Sequence, residues 1–321
     1  MRFSFTDDQD AFHDAVRDLL AHKCTAAEVR AAWANHSGRA PGAWNALMEM
    51  GVLDALRPEP DGGLGLNEVD VVRILEATGR AALPEPIVET MLVAAPMNLA
   101  PIGQTASATL PESPLAPWAD SADVVISLAA DGVRVHAATA IICTPRESVD
   151  GARRLFSCAL NEAPIATADV ATAFRRGVLG YAAQLCGLSD TMLALTVEYA
   201  KERKQFGAPI GSFQAVKHHL ANARIKLEFA RPLVYRAAAS LAGNDPDAST
   251  HTSMAKAAAS DAAMVAAKAS LQCHGAIGYT TEHDLHLYMK RAWALSAAWG
   301  DAAWHRDRIG RALIGTAKYP T

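Results

Sequence analysis

From about residue 168 onward, the chain consists of long alanine-rich segments in which apolar residues recur at the spacing of one helical face. Short polar breaks separate them, as at Gly243-Asn244-Asp245-Pro246. Phe, Trp and Tyr together make up 6% of the chain, which favours closely packed helices over a β-sandwich. Long helices with short connections are typical of an antiparallel bundle, so residues 166–321 predict a C-terminal four-helix bundle. Helices are predicted near 168–201, 213–242, 247–274, 282–292 and 301–315.

The first part of the chain also has helical periodicity, and two of its helices have recognisable starts. Thr6 begins a capping-box pattern, and Asn67 can cap a later helix. An amphipathic stretch covers residues 43–56, and another helix is predicted near 87–98. Together these features predict an N-terminal helical domain over residues 1–100.

In the middle of the chain the periodicity changes to the alternation that β-strands show. Asp131-Gly132 is a hairpin turn signal between two such segments. The proline-containing stretch 101–120 is predicted to be a linker, so residues 101–165 form a linker and a small, truncated β-domain. Strands are predicted at 123–129, 132–137, 139–143 and 154–160. The predicted fold class is therefore mainly α, with a small β-domain between two helical domains.

Composition and charge exclude several classes of protein. A net charge of −4 gives no electrostatic reason to expect nucleic acid binding. No uncharged apolar run reaches about 18 residues, so no membrane span is expected. The N-terminal residues contain no basic-then-apolar signal segment. The sequence therefore predicts a cytoplasmic protein.

The cysteines and histidines do not have the spacing of metal ligands. The scattered, odd-numbered cysteines are expected to be reduced thiols, as is usual in a cytoplasmic protein. They are Cys24, Cys143, Cys158, Cys186 and Cys273. Two histidine pairs, His218 with His219 and His283 with His286, lack an acid at the Glu-x-x-His spacing of di-iron bundles. No metal site is predicted.

Three segments of the chain resemble signatures of the acyl-CoA dehydrogenase family. They are GVLDALRPEPDGGLGL at 51–66, ERKQFGAPIGSFQ at 202–214 and QCHGAIGYTTE at 272–282. The resemblance implies an N-terminal helical domain, a middle β-domain and a C-terminal four-helix bundle, which is the order read from the periodicity. It also implies FAD as cofactor and the oxidation of acyl-CoA thioesters to 2-enoyl-CoA.

The resemblance assigns five residues to FAD binding: Arg203, Phe206, Gln214, Gln272 and Gly275. By resemblance the forked guanidinium of Arg203 contacts the FAD pyrophosphate of a neighbouring subunit, Phe206 packs on the flavin or adenine, and Gln214 hydrogen-bonds nearby. Gln272 and Gly275 reach the adenosine-diphosphate part of FAD. Structural alternatives stay open: an ion pair of Arg203 with Glu202, a loop-anchoring role for Phe206 and a helix-ending role for Gly275. The family often has a second glycine where this chain has Ala276.

The chain departs from the family where the catalytic base is expected. The usual base is a glutamate in an aromatic-Glu-Gly-Thr segment, and here Trp299 occupies that position in Ala298-Trp299-Gly300-Asp301. An indole nitrogen only donates hydrogen bonds, so it cannot accept a proton. The alternative base position in the family falls at Gly177, within a stretch that contains no acid. No catalytic residue is predicted; Asp301 could substitute, but a helix-capping role is favoured for it.

The middle region is several dozen residues shorter than the family's β-domain and lacks the Thr/Ser-rich strands that cover the flavin. We therefore hypothesise that the chain is one half of an α2β2 acyl-CoA dehydrogenase with two FADs. A catalytically complete partner subunit would supply the glutamate, a steroid side-chain CoA thioester would be the substrate, and electron-transfer flavoprotein or another acceptor would take the electrons. Two alternatives remain: a self-sufficient flavoenzyme that uses Asp301, and a flavin-free structural or regulatory protein.

Overall fold

The computed structural model describes residues 4–111 and 113–314, and it confirms a mainly helical fold with a small amount of strand in the middle. Helices come first, short strands follow, and long helices form the C-terminal part. One hydrophobic core extends from the first helices through the strands into the C-terminal helices. Part of the strand region therefore packs on the same core as both helical parts, whereas a second, smaller cluster contains Ala116, Phe156 and Cys158.

Four α-helices precede the strands. They are α1 (Asp7–Lys23), α2 (Ala26–Ala34), α3 (Pro41–Glu49) and α4 (Glu68–Arg80). The side chains of Thr6 and Asn67 cap α1 and α4 with capping boxes, as the sequence predicts. The predicted helix over 43–56 is wrong in its extent, because Gly51 adopts a positive φ of 77° and ends the helical path. α2 was not predicted from the sequence.

The segment near 87–98 is helical, as predicted, but its helical geometry is unusual. Residues Val88–Ala94 form π-helical turns, and Ala95–Met97 continue in 3-10 geometry. The π-helical segment is buried throughout. Such turns are rare and are found frequently at functional sites.

The strands form two small sheets, and the reading of 101–120 as a linker is wrong because two strands lie within it. The strands are β1 (Ala106–Thr109), β2 (Leu115–Pro117), β3 (Val124–Ala129), β4 (Gly132–Ala137), β5 (Ile142–Arg146), β6 (Leu155–Ala159) and β7 (Ile165–Ala166). One sheet has the order β1-β3-β4-β7, and the other has the order β2-β6-β5. β1 pairs with β3 in parallel, so a long-range pairing that periodicity does not reveal converts the proline-containing stretch into sheet.

The C-terminal part consists of helices close to their predicted positions. They are α5 (Val170–Glu202), α6 (Gln214–Ala242), α7 (Ala248–His274), α8 (Leu285–Ala297) and α9 (Ala302–Ile314). α8 is longer than predicted, and the predicted end of the last helix at 315 lies outside the described residues. A ribbon of β8 (Lys204–Gln205) and β9 (Ala208–Pro209) lies in the α5–α6 connection.

The crossing of α4 and α5 depends on two glycines. A Cβ at Gly79 would overlap the backbone of Gln184, and a Cβ at Gly187 would overlap the backbone of Glu76. Because neither glycine has a side chain, the two helix backbones approach closely and α5 becomes the centre of the core. α5 is also the helix among the described residues that is long and apolar enough to cross a membrane. In its most apolar window 83% of the residues are buried inside the protein, so it is weak evidence for a span.

Candidate functional site

A cavity of about 1120 Å³ lies between the strands and the C-terminal helices. Its walls come from β2, β3 and β6, from the start of α5, and from the end of α8 with the segment that joins it to α9. Apolar side chains such as Leu128, Phe174 and Trp293 line much of it, and Arg153 and Asp169 are among its polar lining residues. An apolar cavity with a few charged groups is the usual form of a small-molecule site.

The two positions at which the resemblance predicts a base meet at this cavity. Trp299 lines the cavity and is 4% exposed, and its ring lies against Gly177 of α5. A Cβ at Gly177 would overlap the indole ring, so the glycine is what allows the tryptophan to pack there. The structure therefore brings the two substituted positions into direct contact, which the sequence did not predict.

Aromatic rings hold the indole of Trp299 in place. The ring centroids of Phe174 and Tyr181 lie 5.8 Å and 6.0 Å from the Trp299 ring. Trp299 itself has a positive φ of 56°, which is uncommon for a bulky residue. The surrounding contacts must therefore stabilise a backbone conformation that is unfavourable by itself.

A fully buried carboxyl group lies beside Trp299. Glu89, in the π-helical segment, accepts a 2.6 Å hydrogen bond from the Tyr181 hydroxyl, and Trp299 also hydrogen-bonds to it. Burial raises the pKa of Glu89 above its usual range. Arg153 donates to the Tyr181 hydroxyl at 3.3 Å. Glu89 was not predicted as a site residue, and its one signal in the sequence is that it is an acid within an otherwise apolar run.

Two buried basic residues fix the backbone on either side of Trp299. Lys256 of α7 donates from Nζ to the carbonyl oxygens of Ser296 at 3.0 Å and Gly300 at 2.9 Å. Burial lowers the pKa of Lys256 to about 7. His305 of α9 donates from Nε2 to the Trp299 carbonyl at 2.9 Å, and burial lowers the pKa of His305 to about 4. Neither Lys256 nor His305 was predicted from the sequence.

Asp301 has the geometry of a helix cap. Its Oδ1 accepts the backbone N–H of Trp304 at 2.8 Å, in the first turn of α9. The residue is exposed, although it also lines the cavity. This hydrogen bond accounts for Asp301 without a catalytic role.

The sequence-predicted FAD residues of the 202–214 segment lie away from the cavity. Phe206 and Gly207 form the tip of the β8–β9 ribbon, with positive φ values of 54° and 79°. Phe206 is 92% exposed and touches Phe213 edge to face. Arg203 and Gln214 are exposed as well, and the described residues show no ion pair between Arg203 and Glu202. A side chain that anchors a loop is usually buried, so the almost fully exposed ring of Phe206 argues against the loop-anchoring alternative.

The 272–282 segment lies at the same end of the bundle. Tyr199, one turn before Arg203, stacks on His274 with ring centroids 4.3 Å apart, and this contact joins the ends of α5 and α7. Gln272 and Gly275 are exposed beside it, and Gly275 has φ 64° and ψ −138°, a conformation that favours glycine. The five predicted residues thus share one exposed end of the bundle, and none of them lines the cavity.

The histidine pairs do not form a metal-ligand cluster. His218 and His219 are exposed on α6, whereas His283 packs against His274. Burial lowers the pKa of His283 and of His286. Within residues 4–111 and 113–314, no group of three His, Cys, Asp or Glu side chains could hold a metal ion.

Two domain families match the chain, and together they span most of its helices and strands. The acyl-CoA dehydrogenase N-terminal domain matches residues 6–117, and the acyl-CoA dehydrogenase C-terminal domain matches residues 168–314. Members of this family are oxidoreductases that act on CH–CH bonds and depend on FAD. The chain belongs to the acyl-CoA dehydrogenase family.

Individual relatives are similar over nearly their full lengths. The chain is 33% identical to acyl-CoA dehydrogenase IpdE2 of Mycobacterium tuberculosis, over 89% of this chain and 91% of that one. The fold is similar to a chain of the ChsE4-ChsE5 complex from Mycobacterium tuberculosis, with a TM-score of 0.86, 23% identity and full coverage of both chains. It is also similar to a chain of the Tcur3481-Tcur3483 steroid acyl-CoA dehydrogenase, with a TM-score of 0.87 and 21% identity over 98% and 99% of the two chains.

Proposed function

We propose that this chain is one subunit of a heteromeric FAD-dependent acyl-CoA dehydrogenase and that a catalytically complete partner subunit supplies the glutamate base. The observation that carries the proposal is the packing of Trp299 on Gly177. Both family base positions lack a carboxylate, and the indole fills the space between them. The chain therefore cannot take the α proton of a thioester at this place, because an indole N–H only donates.

The remaining carboxylates near Trp299 do not compensate for the loss. Glu89 is fully buried behind the indole and accepts hydrogen bonds from Tyr181 and Trp299. Asp301 caps α9. A general base must reach the proton it abstracts within hydrogen-bond distance. Glu89 is enclosed, and Asp301 already accepts a backbone N–H.

The exposed end of the bundle has the donors and rings that the adenosine-diphosphate part of FAD requires. A guanidinium such as that of Arg203 can bind a pyrophosphate through two hydrogen bonds. Phe206 offers an aromatic face, and Gly275 lets a ligand approach the backbone closely. FAD, when bound, supplies the hydride acceptor for the oxidation of an acyl-CoA thioester to a 2-enoyl-CoA. In the proposal these residues bind an FAD that is shared with the partner subunit.

The proposed assembly is a cytoplasmic α2β2 complex with two FADs that acts on a steroid side-chain CoA thioester and passes electrons to electron-transfer flavoprotein or another acceptor. Two similar solved structures support a two-protein assembly, since their names pair ChsE4 with ChsE5 and Tcur3481 with Tcur3483, and the second is named a steroid enzyme.

The proposal is tested by co-expressing the chain with a complete acyl-CoA dehydrogenase whose gene is adjacent to its own. We expect the two chains to purify together with bound flavin, whereas this chain alone should be colourless and inactive. A flavin-containing, active homomer of this chain would contradict the proposal, and so would failure of the two chains to purify together.

Arg203→Ala tests the contribution of this chain to cofactor binding. A lost charge-assisted hydrogen bond costs about 1.5–3 kcal/mol, so FAD should dissociate from the complex about tenfold or more readily. The matched control is Arg146→Ala, which removes an exposed arginine of β5 and should leave flavin content unchanged. Unchanged flavin content and turnover in the Arg203→Ala complex would instead indicate a flavin-free structural role.

Asp301→Asn separates the proposed function from a self-sufficient enzyme. Asparagine is as good a helix cap as aspartate, so α9 keeps its start, but the amide cannot act as a base. The complex should retain its turnover. Loss of turnover in a normally folded Asp301→Asn complex would assign the base to this chain.

A further inference from the structure

Two cysteine thiols face each other across neighbouring strands. Cys143 of β5 is the register partner of Cys158 of β6, and their Sγ atoms lie 3.0 Å apart. Directly opposite residues in antiparallel strands have Cα atoms about 4.5–5.5 Å apart. A disulfide spans Cα separations of about 4.4–6.8 Å, so the two thiols can be joined without displacement of the backbone.

The two sulfurs differ in their access to solvent. β5 is the edge strand of the β2-β6-β5 sheet, so its outer side faces away from the sheet. Cys143 is half-buried between the exposed residues Ile142 and Thr144, whereas Cys158 is buried. A small oxidant that arrives from solvent therefore reaches Cys143 first. Cys158 is then in position to react with the oxidised sulfur.

The other cysteines have no such arrangement. Cys24 and Cys186 are buried, and Cys273 is half-buried near the end of α7. In the part of the chain that the structure describes, Cys143 and Cys158 are the pair whose sulfur atoms contact each other. The geometry therefore singles out one pair of five thiols, which the scattered sequence positions did not reveal.

We propose that Cys143 and Cys158 are a redox modification site that forms a reversible disulfide when the protein meets hydrogen peroxide. The Cys143 thiolate attacks one peroxide oxygen, so an S–O bond forms, the O–O bond breaks, and the leaving hydroxide takes up a proton to give water. The Cys158 sulfur then attacks the Cys143 sulfur. The S–S bond forms, the S–O bond breaks, and the thiol proton of Cys158 leaves with the oxygen as a second water.

The rate of the second step depends on the protonation state of the Cys158 thiol. Burial, together with the neighbouring Cys143 thiol, raises the pKa of Cys158 to about 12, so Cys158 is protonated at neutral pH. Because the thiolate is the nucleophile, the disulfide should form faster as the pH rises. Disulfides in cytoplasmic proteins are usually transient and redox-sensing, which fits a bond that forms only under oxidant.

The bond would restrain one wall of the cavity. The loop over residues 147–154 joins β5 to β6, and Glu147, Ser148 and Val149 of this loop line the cavity together with Leu155 at the start of β6. Joining Cys143 to Cys158 closes that loop covalently and holds the edge strand on its sheet. This inference concerns only residues of this chain and does not depend on the proposed heteromer.

The test is peptide mapping of the full chain by mass spectrometry after brief treatment with hydrogen peroxide and alkylation of the remaining thiols in denaturant. We expect a peptide pair that is linked through Cys143 and Cys158 and that disappears after dithiothreitol. Cys24 and Cys186 should remain fully alkylated. Recovery of Cys143 as sulfinic or sulfonic acid, with Cys158 still alkylated, would overturn the proposal. Oxidation of Cys273 while the thiols of Cys143 and Cys158 both remain intact would also overturn it.

Two serine variants separate the roles of the sulfurs. Cys158→Ser should leave Cys143 as a sulfenic acid that a dimedone probe captures, because the resolving thiol is gone. The matched control Cys273→Ser removes a half-buried thiol elsewhere and should form the disulfide as the unchanged chain does. Equal dimedone labelling of Cys143 in the unchanged chain and in Cys158→Ser would show that Cys158 does not resolve the oxidised sulfur, and it would overturn the proposal.

Discussion

At the scale of single residues, the segment around Trp299 is held by specific interactions on both sides. Lys256 donates to the carbonyl oxygens of Ser296 and Gly300, and His305 donates to that of Trp299. Three backbone carbonyl oxygens around Trp299 thus accept hydrogen bonds from buried side chains. A position that had lost all constraint would not need such support, because a buried backbone acceptor otherwise costs free energy. The segment around Trp299 therefore has a backbone conformation that buried side chains stabilise.

Lys256→Met tests this support through the pH dependence of stability. In the unfolded chain lysine has a pKa of about 10.4, whereas burial lowers the pKa of Lys256 in the folded chain to about 7. Between these values the unfolded chain binds a proton that the folded chain does not, so the contribution of Lys256 to stability rises with pH. Methionine does not titrate. The free energy of unfolding of the unchanged chain should therefore rise relative to Lys256→Met from about pH 7 to pH 10, by at most about 4 kcal/mol.

Urea unfolding at several pH values measures this difference. The matched control is Lys268→Met, an exposed lysine on the same helix, whose stability should follow that of the unchanged chain at every pH. Parallel pH profiles for Lys256→Met and the unchanged chain would show that Lys256 does not titrate with a lowered pKa in the folded state.

At the scale of elements, glycines decide how closely α5 approaches its neighbours. Gly79 and Gly187 allow α4 and α5 to cross with their backbones in contact, and Gly177 makes room on α5 for the Trp299 ring. An interior glycine is normally unfavourable in a helix by about 0.5–1 kcal/mol relative to alanine. Their presence in α4 and α5 is therefore explained by packing and not by helix formation.

Gly177→Ala should destabilise the chain although alanine favours helix. The added Cβ overlaps the Trp299 ring, and a strained core substitution typically costs about 1–3 kcal/mol, which exceeds the gain in helix propensity. The matched control is Gly310→Ala within α9, where a Cβ meets no atom within 4 Å, and it should stabilise by about 0.5–1 kcal/mol. Urea unfolding of the two variants gives both values.

The cause can be isolated with a double mutant. If the clash with the indole accounts for the cost, adding Gly177→Ala to Trp299→Ala should cost much less than adding it to the unchanged chain. An equal cost in both backgrounds would mean that another neighbour of Gly177 is responsible.

At the scale of the whole molecule, large apolar side chains remain exposed on the bundle. Ile225, Phe229 and Leu233 of α6 follow one another at four-residue spacing, so they share one face, and Phe229 is 74% exposed. Tyr279 and Phe206 are exposed at the end of the bundle where the predicted FAD residues lie. Contiguous exposed apolar surface is typical of a protein that associates with another. These faces agree with the proposed partner subunit.

Phe229→Asp should weaken the proposed heteromer without unfolding this chain. Loss of a central aromatic anchor at an interface costs about 2 kcal/mol or more, which corresponds to at least about tenfold weaker association. Association is measured by sedimentation of the co-expressed chains, and circular dichroism checks the fold. Leu313→Asp, at an exposed position on α9, serves as the control and should assemble normally. Equal assembly of both variants would place the partner elsewhere.

Much of the fold was predictable because it depends on local signals. Capping residues and apolar stripes located α1, α4 and the long C-terminal helices, and Asp131-Gly132 located the β3–β4 hairpin. The errors occur where long-range contacts override local preference. The stretch 101–120 became two strands through pairing with β3 and β6. The π-helical geometry of Val88–Ala94 has no counterpart in the periodicity of its residues.

The sequence by itself determined the family, the order of the helical and β parts, and the lack of an acidic residue at the two positions where the resemblance predicts a base, because each depends on residue type and spacing along the chain. Only the tertiary structure decided that Trp299 rests on Gly177, that Glu89 lies enclosed behind it, and that Cys143 faces Cys158. The physical reason is that each of these contacts joins residues far apart in sequence. Which side chains meet is set by how α5 and the strands pack into one core, and that packing follows from the whole chain.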